Sequence, residues 1–497
     1  VKAIIESPIK AYIYNYENDF DRLTRALTYK NISVQFQINK LYQNLWFRKS
    51  NPEEWKRQID QLKQALITQL IFDDNGRKYI RPGSIPYLKE YGIDIEVINN
   101  VKYPNPKPRP WYNKLPFELY YYQKEAVEKL IEAKHGAVSI ATGGGKSACI
   151  MSIVRNLGLK SIIMTPSSSI FRQLLKEAEF LFGKASVGAL GDGIKRLGKP
   201  IMVCVSKSLT TLDKNSKEYK DLSEYEVLLG DESHTLPAET LEQVCHGVLA
   251  NVPYRFFFSG TQVRNDGSDK LLHSIIGPVV YTLSTAEAIQ GGFICNHEFV
   301  IKKVSSKNKR KYSDPLKNKR EHFLKNEEIA DFIAKIATAA YQTKNHKTLV
   351  LVDELSQISL LIKKLTIPYA YAHSGTDNKE LKKLGLEKVD SEESVEKFNK
   401  GEVAVLIGTS AISTGVNIFP THHTFNWQGG SSETKTKQGA VGRSVRLLEK
   451  SKYKDYHPPK EKSIIWDFDV DIDDLRSQLN KRIRYYKESG TKIVRLE

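Results

Sequence analysis

Residues 137–158 read AVSIATGGGKSACIMSIVRNLG. Ala137–Ile140 is an apolar run of strand length, and Ala148–Leu157 carries apolar residues at helical spacing. Between them the chain passes through Thr142, Gly143, Gly144 and Gly145 into Lys146 and Ser147. Consecutive glycines let a backbone turn tightly enough for its N–H groups to converge on phosphate oxygens. The N-terminus of the following helix adds positive dipole. In that setting Lys146 neutralises the β- and γ-phosphates of a nucleoside triphosphate, and the Ser147 hydroxyl ligates Mg²⁺. The spacing departs slightly from GxxxxGKS, because Ile140 stands where the first glycine would be.

A second chemical signal is VLLGDESH, residues 227–234. Magnesium-dependent hydrolysis of a triphosphate needs carboxylates held together at the end of a rigid strand. Asp231 at the tip can hold the metal, directly or through water, and Glu232 can polarise the attacking water. An exposed Asp-Glu pair is common by itself. One that follows the glycine-rich lysine by 85 residues (231 − 146), at a strand end, is far more specific.

Outward from these motifs, short apolar runs alternate with helical stretches from about 115 to 283. The strand candidates are 137–140, 161–165, 201–205, 227–230 and 256–259. The pattern resumes after about 296, with candidates at 348–352, 369–373, 403–408, 423–426 and 463–466. Apolar strands separated by helices predict parallel sheets covered on both faces. The expected class is therefore α/β: tandem parallel-sheet domains over 111–290 and 291–497, preceded by a small α+β module over 1–110. In that module Val34–Ile38 alternates like a strand, whereas Pro52–Phe72 repeats Trp55, Ile59, Leu62, Leu66 and Leu70 at helical steps. Prolines 104, 106, 108 and 110 predict an extended tether at its end.

The chain has 497 residues, enough for about three domains of roughly 150 residues. No run of about 18 apolar residues occurs, which excludes a transmembrane helix and predicts no membrane partner. The charged N-terminus shows no apolar leader. Cys149, Cys204, Cys245 and Cys295 are spaced for neither a zinc knuckle nor a disulfide scaffold, and suit a reducing cytoplasm. The histidines show no metal pattern, and the adjacent His422 and His423 should diverge. The charge balance is 75 − 58 = +17, which points to a polyanionic partner, most often nucleic acid. Residues 302–325 hold ten Lys/Arg against two acids. That density suits a loop or hairpin on phosphates, the alternative being a solvated, flexible insertion. Among the tryptophans, Trp46 and Trp427 are candidates for stacking on bases.

Together, ATGGGKS, DESH and the motifs below resemble those of the superfamily-2 helicases and translocases. The DEAH-like second motif resembles the phage UvsW-type branch-migration helicases. The resemblance covers about 115–470 and implies RecA-like folds for both parallel-sheet domains, with ATP and Mg²⁺ as cofactors. Gln123, in LYYYQKEAV, resembles an adenine-reading glutamine, whose amide offers both donor and acceptor. Tyr120 stands where the family often has Arg. Thr165-Pro166-Ser167 and Ser206–Leu209, including Ser208, resemble the Ia and Ic turns that hold strand phosphates. Ser259-Gly260-Thr261 resembles motif III, which links the ATP site to domain closure. His373-Ser374-Gly375 resembles the IVa phosphate contact. Gly408–Asn417 resembles motif V, with Thr409 on DNA phosphate and with Gly415 and Asn417 facing the nucleotide. Asn417 replaces the usual Asp. Gln438–Arg446 resembles motif VI, QxxGRxxR, which implies nucleotide contact by Gln438 and arginine fingers at Arg443 and Arg446, one helical turn apart.

The resemblance further implies ATP held between the two domains and DNA lying across both. The N-terminal module is then expected to add duplex or junction binding. The implied partners are forked, branched or single-stranded DNA, together with replication or recombination proteins. The implied location is the cytoplasm, that of the host if the chain is phage-encoded. Two other classes fit the motifs: a duplex-translocating motor of a restriction-type complex, and an ATP-dependent RNA remodeller.

Overall fold

A computed structural model describes the chain except residues 109–114, 233–234, 237, 261–268, 309, 374–377, 410–416, 432–434 and 489, and the side chains of 33, 169, 238, 435, 437, 438 and 488. It divides into two compact units, Val1–Ile140 with Gly145–Thr282, and Ala141–Gly144 with Leu283–Glu497.

The first unit is built on an eight-stranded sheet. Its order is Ile194–Arg196, Val187–Gly191, Ile201–Val205, Ser161–Thr165, Val227–Asp231, Tyr254–Ser259, His135–Ile140, Val279–Leu283. Every pairing from Val187–Gly191 through His135–Ile140 is parallel. The strands from Ser161, Ile201, Val227 and Tyr254 are buried along their whole length, so they read as continuous apolar runs rather than alternating ones. The register aligns Asp231 with Phe258 and Ser259 with Ser139. The strands bearing DESH, the Ser259 turn and the glycine-rich turn thus end along one edge, where open α/β sheets bind ligands.

A five-stranded, largely antiparallel sheet precedes it, ordered Ile71–Asp74, Arg77–Ile80, Lys10–Tyr14, Lys2–Ser7, Glu96–Asn99. The alternation at Val34–Ile38 is not a strand. It lies inside the helix Ile32–Gln43, because the Asn31 side chain accepts from Val34 N at 3.2 Å and caps a helix that buries Ile38. The helix expected over Pro52–Phe72 stops at Leu66, and Ile67–Gln69 and Ile71–Asp74 are strands.

This module shares one apolar core with the parallel sheet: Leu23, Leu70, Ile80 and Leu88 cluster with Leu241, Val248, Leu272 and Ile275. Arg81, 3% exposed, donates to Glu242 and, at 3.1 Å, to Ser274 Oγ. A Cβ at Gly83 would collide with the carbonyls of His273 and Ser274. The proline-rich segment forms neither helix nor strand over 101–108, and it is pinned rather than free. Lys107 N donates to Leu157 O at 2.7 Å, and Tyr254 Oη to Pro104 O at 3.1 Å.

The second unit carries a seven-stranded sheet, ordered Tyr369–Ala372, Val405–Gly408, Thr348–Val352, His423–Trp427, Lys462–Val470, Asn296–Val304, Ile493–Leu496, parallel throughout. Asp467 anchors the helix Asp473–Glu488 through Arg482 (2.7 and 2.9 Å) and Tyr486 Oη (2.7 Å), all buried. Trp427 is fully buried and donates to Phe323 O at 2.9 Å, so it is core and unavailable for stacking. His422 and His423 both meet His346: the first stacks on it at 4.3 Å and the second lies 3.5 Å from its Nδ1.

The basic segment 302–325 is part loop and part helix: the described residues of 305–314 lie outside helix and strand and are mostly exposed. It forms the end of a strand, the helix Pro315–Lys319 and a π-helical turn, Arg320–Leu324. Many of its bases meet acids: Lys307–Glu327 (2.8 Å), Lys319–Asp353 (2.6 Å), Arg320–Glu354 (2.8 Å) and Lys325–Glu321 (2.7 Å). Among the described residues no helix is long and apolar enough to cross a membrane.

Candidate nucleotide site and phosphate-contact turns

After Ile140 the chain enters the glycine-rich turn containing Thr142. Gly143 and Gly145 take φ of +89° and +77°, which glycine adopts without a Cβ penalty. Gly144 N donates to Ala141 O at 2.9 Å. Gly145 is the N-cap position of the helix Lys146–Leu157, whose first turn holds Ser147. The free N–H groups of such a first turn are the donors a phosphate needs.

Lys146 is drawn to the second motif: its Nζ lies 3.0 Å from Glu232 Oε1, with both side chains 10% exposed. Glu232 has φ +50°, a left-handed conformation that turns the chain as it leaves the strand Val227–Asp231. For a residue with a Cβ this costs about 1–2 kcal/mol, a strain typical of functional sites. Burial disfavours the Lys146 charge, but Glu232 and Asp231 more than offset it and hold the ammonium above its ordinary value. Burial, then the Glu232 charge, push Asp231 up to about 7. Its Oδ1 is buried with no hydrogen-bond partner among the described residues. A buried carboxylate oxygen without a donor calls for a cation. A hard ion that takes a carboxylate, a hydroxyl, phosphate oxygens and water fits this donor set. Mg²⁺ with ATP therefore suits Asp231, Ser147 and Lys146.

Gln123 is 4% exposed. Its Oε1 accepts from Tyr120 N at 2.9 Å and its Nε2 donates to Gly145 O at 3.5 Å, so the amide both caps its own helix and touches the glycine turn. A Cβ at Gly145 would collide with that amide. Ser259 is fully buried at its strand end and Gly260 follows; Thr261 lies outside the described residues.

The expected phosphate-contact turns divide by exposure. Thr165 is fully buried and its hydroxyl donates to Ser167 O at 3.1 Å; Ser206 is 1% exposed. Both side chains are held inside their turns, as is that of Thr409, 7% exposed. Pro166 and Ser208 are half-buried, and the exposed member of the second turn is Lys207, a basic residue the motif comparison passes over.

In the second unit Thr409 follows its strand and donates from N to Ala372 O at 3.1 Å. Ser374, Gly375 and Gly415 lie outside the described residues. Asn417 is exposed and accepts from Arg446 Nη1. The GRxxR half of motif VI is intact, but Gln438 stands four residues before Gly442, one more than QxxGRxxR allows. The segment Lys435–Val441 is π-helical, and its wider turn accommodates the extra residue. The regular helix Gly442–Ser444 then ends, with Val445 still in a right-handed helical conformation (φ −86°, ψ −1°) before Arg446. Arg443 is 4% exposed, its pKa held down by burial and then by Arg446 beside it. Arg446 is half-buried over Phe419 at 5.9 Å. Arg482, which donates to Gly430 O ahead of this motif, gives no sequence signal beyond an amphipathic helix.

A glycine-rich turn and strand-end carboxylates on one parallel sheet, and GRxxR on a second, define a helicase-type motor. The family description "Type III restriction enzyme, res subunit" matches residues 116–264, and "Helicase conserved C-terminal domain" matches 325–447. A DNA 3'-5' translocase XPB2 of Sulfurisphaera tokodaii is 24% identical over 395 residues, covering 73% of this chain and 84% of that protein. The solved structure of S. cerevisiae Dbp5 bound to RNA and ADP BeF3 shares the fold at TM-score 0.51 and 14% identity, over 76% of this chain and 89% of that one. The crystal structure of T4 UvsW aligns with 100% of this chain and 99% of its own at TM-score 0.43 and 16% identity. The chain belongs to the superfamily-2 helicases, whose domains imply ATP-dependent action on nucleic acid.

Proposed function

We propose that this chain is an ATP-driven DNA motor that unwinds or branch-migrates forked and junction DNA in replication, recombination or repair. The observation that carries the reading is the buried trio of Lys146, Glu232 and Asp231 at the edge of a parallel sheet. Lys146 binds the β- and γ-phosphates, Ser147 and Asp231 hold Mg²⁺, and Glu232 takes the proton of the attacking water. Bound Mg²⁺ supplies charge neutralisation at the phosphates. Gln123 steadies the glycine turn and meets the adenine edge. Arg443 and Arg446 stabilise the charge that spreads over the transferred phosphoryl group. Ser208, Lys207, Thr409 and the neighbouring turns grip strand phosphates. The relative's name supports a 3′–5′ direction on DNA.

The test is an unwinding panel with 3′-tailed, 5′-tailed, forked and four-way DNA. Forked and four-way substrates should unwind fastest, and a 3′ tail should outperform a 5′ tail. Tracking along plain duplex without strand separation would instead favour a restriction-type motor, which the first family match supports. A higher RNA- than DNA-stimulated ATPase rate would make the chain an RNA remodeller.

A further inference from the structure

The helix Ile32–Gln43 buries Ile38, whereas the helix Leu45–Ser50 that follows it buries no residue and leaves most of its surface bare. Inward, Ile38 is 4% exposed, and Trp55 Nε1 from the helix Pro52–Leu66 donates to Leu41 O at 3.0 Å. Outward, Phe36 is 69% exposed, Leu45 62% and Trp46 77%. Large apolar side chains left exposed on consecutive helices suit an interaction site. The charge pattern says what kind. Residues 32–50 contain Lys40, Arg48 and Lys49 and no Asp or Glu. Arg48 lies over the Trp55 ring at 4.9 Å, and among the described residues no carboxylate pairs with these three bases. The denser basic segment at 302–325 is the opposite case, since acids of its own unit neutralise much of it. A second copy of the chain fits poorly, because a two-fold contact would set the same three cations face to face. Duplex DNA alone also fits poorly, because its base faces are covered by stacking. Unpaired bases offer π-faces to Trp46 and Phe36 while their phosphates meet the bases.

We propose that residues 32–50 form a second nucleic-acid contact, where unpaired bases at a DNA branch stack on Trp46 and Phe36 and flanking phosphates meet Lys40, Arg48 and Lys49. This rests on the reading of the chain as a junction-acting DNA motor and names the part that would distinguish a junction from a plain strand.

The test uses the full chain, a fork carrying 2-aminopurine at its branch, and a linear single strand of equal length. Wild type should bind the fork more tightly and change the 2-aminopurine fluorescence. Stacking contributions predict that Trp46→Ala lowers the ratio of fork to single-strand affinity by roughly 5- to 150-fold. It should also remove the fluorescence change. The triple variant Lys40→Gln, Arg48→Gln, Lys49→Gln should flatten the slope of log affinity against log salt by about 2–3. Because Trp46 is exposed, thermal melting should match wild type, which certifies the fold. If wild type prefers the fork and responds at the branch, yet Trp46→Ala and Phe36→Ala keep both properties, this contact is wrong and the junction reading stands. If wild type shows no fork preference, both are wrong. A wild-type dimer that Trp46→Ala dissociates would make the patch a self-interface and overturn the proposal.

Discussion

Lys146 and Glu232 neutralise one another in a site from which water is largely excluded. Removing the lysine leaves two buried carboxylates without their cation and the triphosphate without its main counter-charge. Lys146→Ala should therefore abolish ATP turnover while DNA affinity, measured by fluorescence anisotropy, stays close to wild type. Normal hydrolysis in that variant would remove the glycine turn from the active site. Arg443 and Arg446 call for different expectations because their burial differs. Arginine fingers are worth about 10³–10⁵ in turnover. Arg446, half-buried and bonded to Asn417, should show such a loss as Arg446→Ala with little change in melting. Arg443 is 4% exposed, so Arg443→Ala should lose turnover and lower the melting temperature as well. A variant of either that turns over normally would make that arginine structural.

At the scale of elements, burial decided what could be read from sequence. Strands such as Ser161–Thr165 and Ile201–Val205 are buried on both faces, so an apolar run and its bounding turns suffice to define them. Asn296–Val304 escaped because Lys302 and Lys303 interrupt its apolar run, although it lies between two strands inside its sheet. Val34–Ile38 misled because strand and helix patterns overlap in five residues, and the Asn31 cap decided between them. The motif residues could be singled out in sequence because phosphate chemistry limits their types. Arg81, Arg482 and the His346 cluster were not, since their partners lie far away in sequence. That cluster should make the second unit acid-sensitive. Burial first, then His346 and nearby lysines, hold His422 down to about 3 and His423 to about 4; burial and Lys344 lower His346. Folded-state values below the ordinary 6.5 mean that the unfolded chain binds more protons between those limits. The stabilisation is thus complete above about 6.5 and is lost as pH falls toward 4. Each proton taken up on unfolding costs about 1.4 kcal/mol per pH unit. Hydrogen exchange on the strands Thr348–Val352 and His423–Trp427 should accelerate at pH 5 relative to pH 7 after correction for intrinsic rates. His422→Asn with His423→Asn should blunt that dependence.

At the scale of the whole molecule, the N-terminal module is not an appendage. Its core is continuous with that of the first parallel sheet, and Arg81 crosses to Glu242 and Ser274 on helices that follow the DESH and Ser259 turns in sequence. The close approach at Gly83 makes the contact sensitive to a single methyl group. Excising the module would uncover Leu271, Leu272 and Ile275 and leave Glu242 without its arginine. Deleting the module therefore tests the fold of the motor as well as any DNA contact the module makes. A chain lacking residues 1–100 should aggregate or melt well below wild type and lose ATPase with its fold. Gly83→Ala, a gentler probe, has to move the module off the Asp269–Ile276 helix, and overpacking of this kind costs typically 1–3 kcal/mol. It should lower the melting temperature of the first unit and weaken coupling between fork binding and hydrolysis, read as the DNA concentration for half-maximal ATPase. If the truncated chain instead stays monomeric with wild-type melting and turnover, the shared core contributes nothing to the motor. Fork recognition would then have to reside in the parallel-sheet domains themselves.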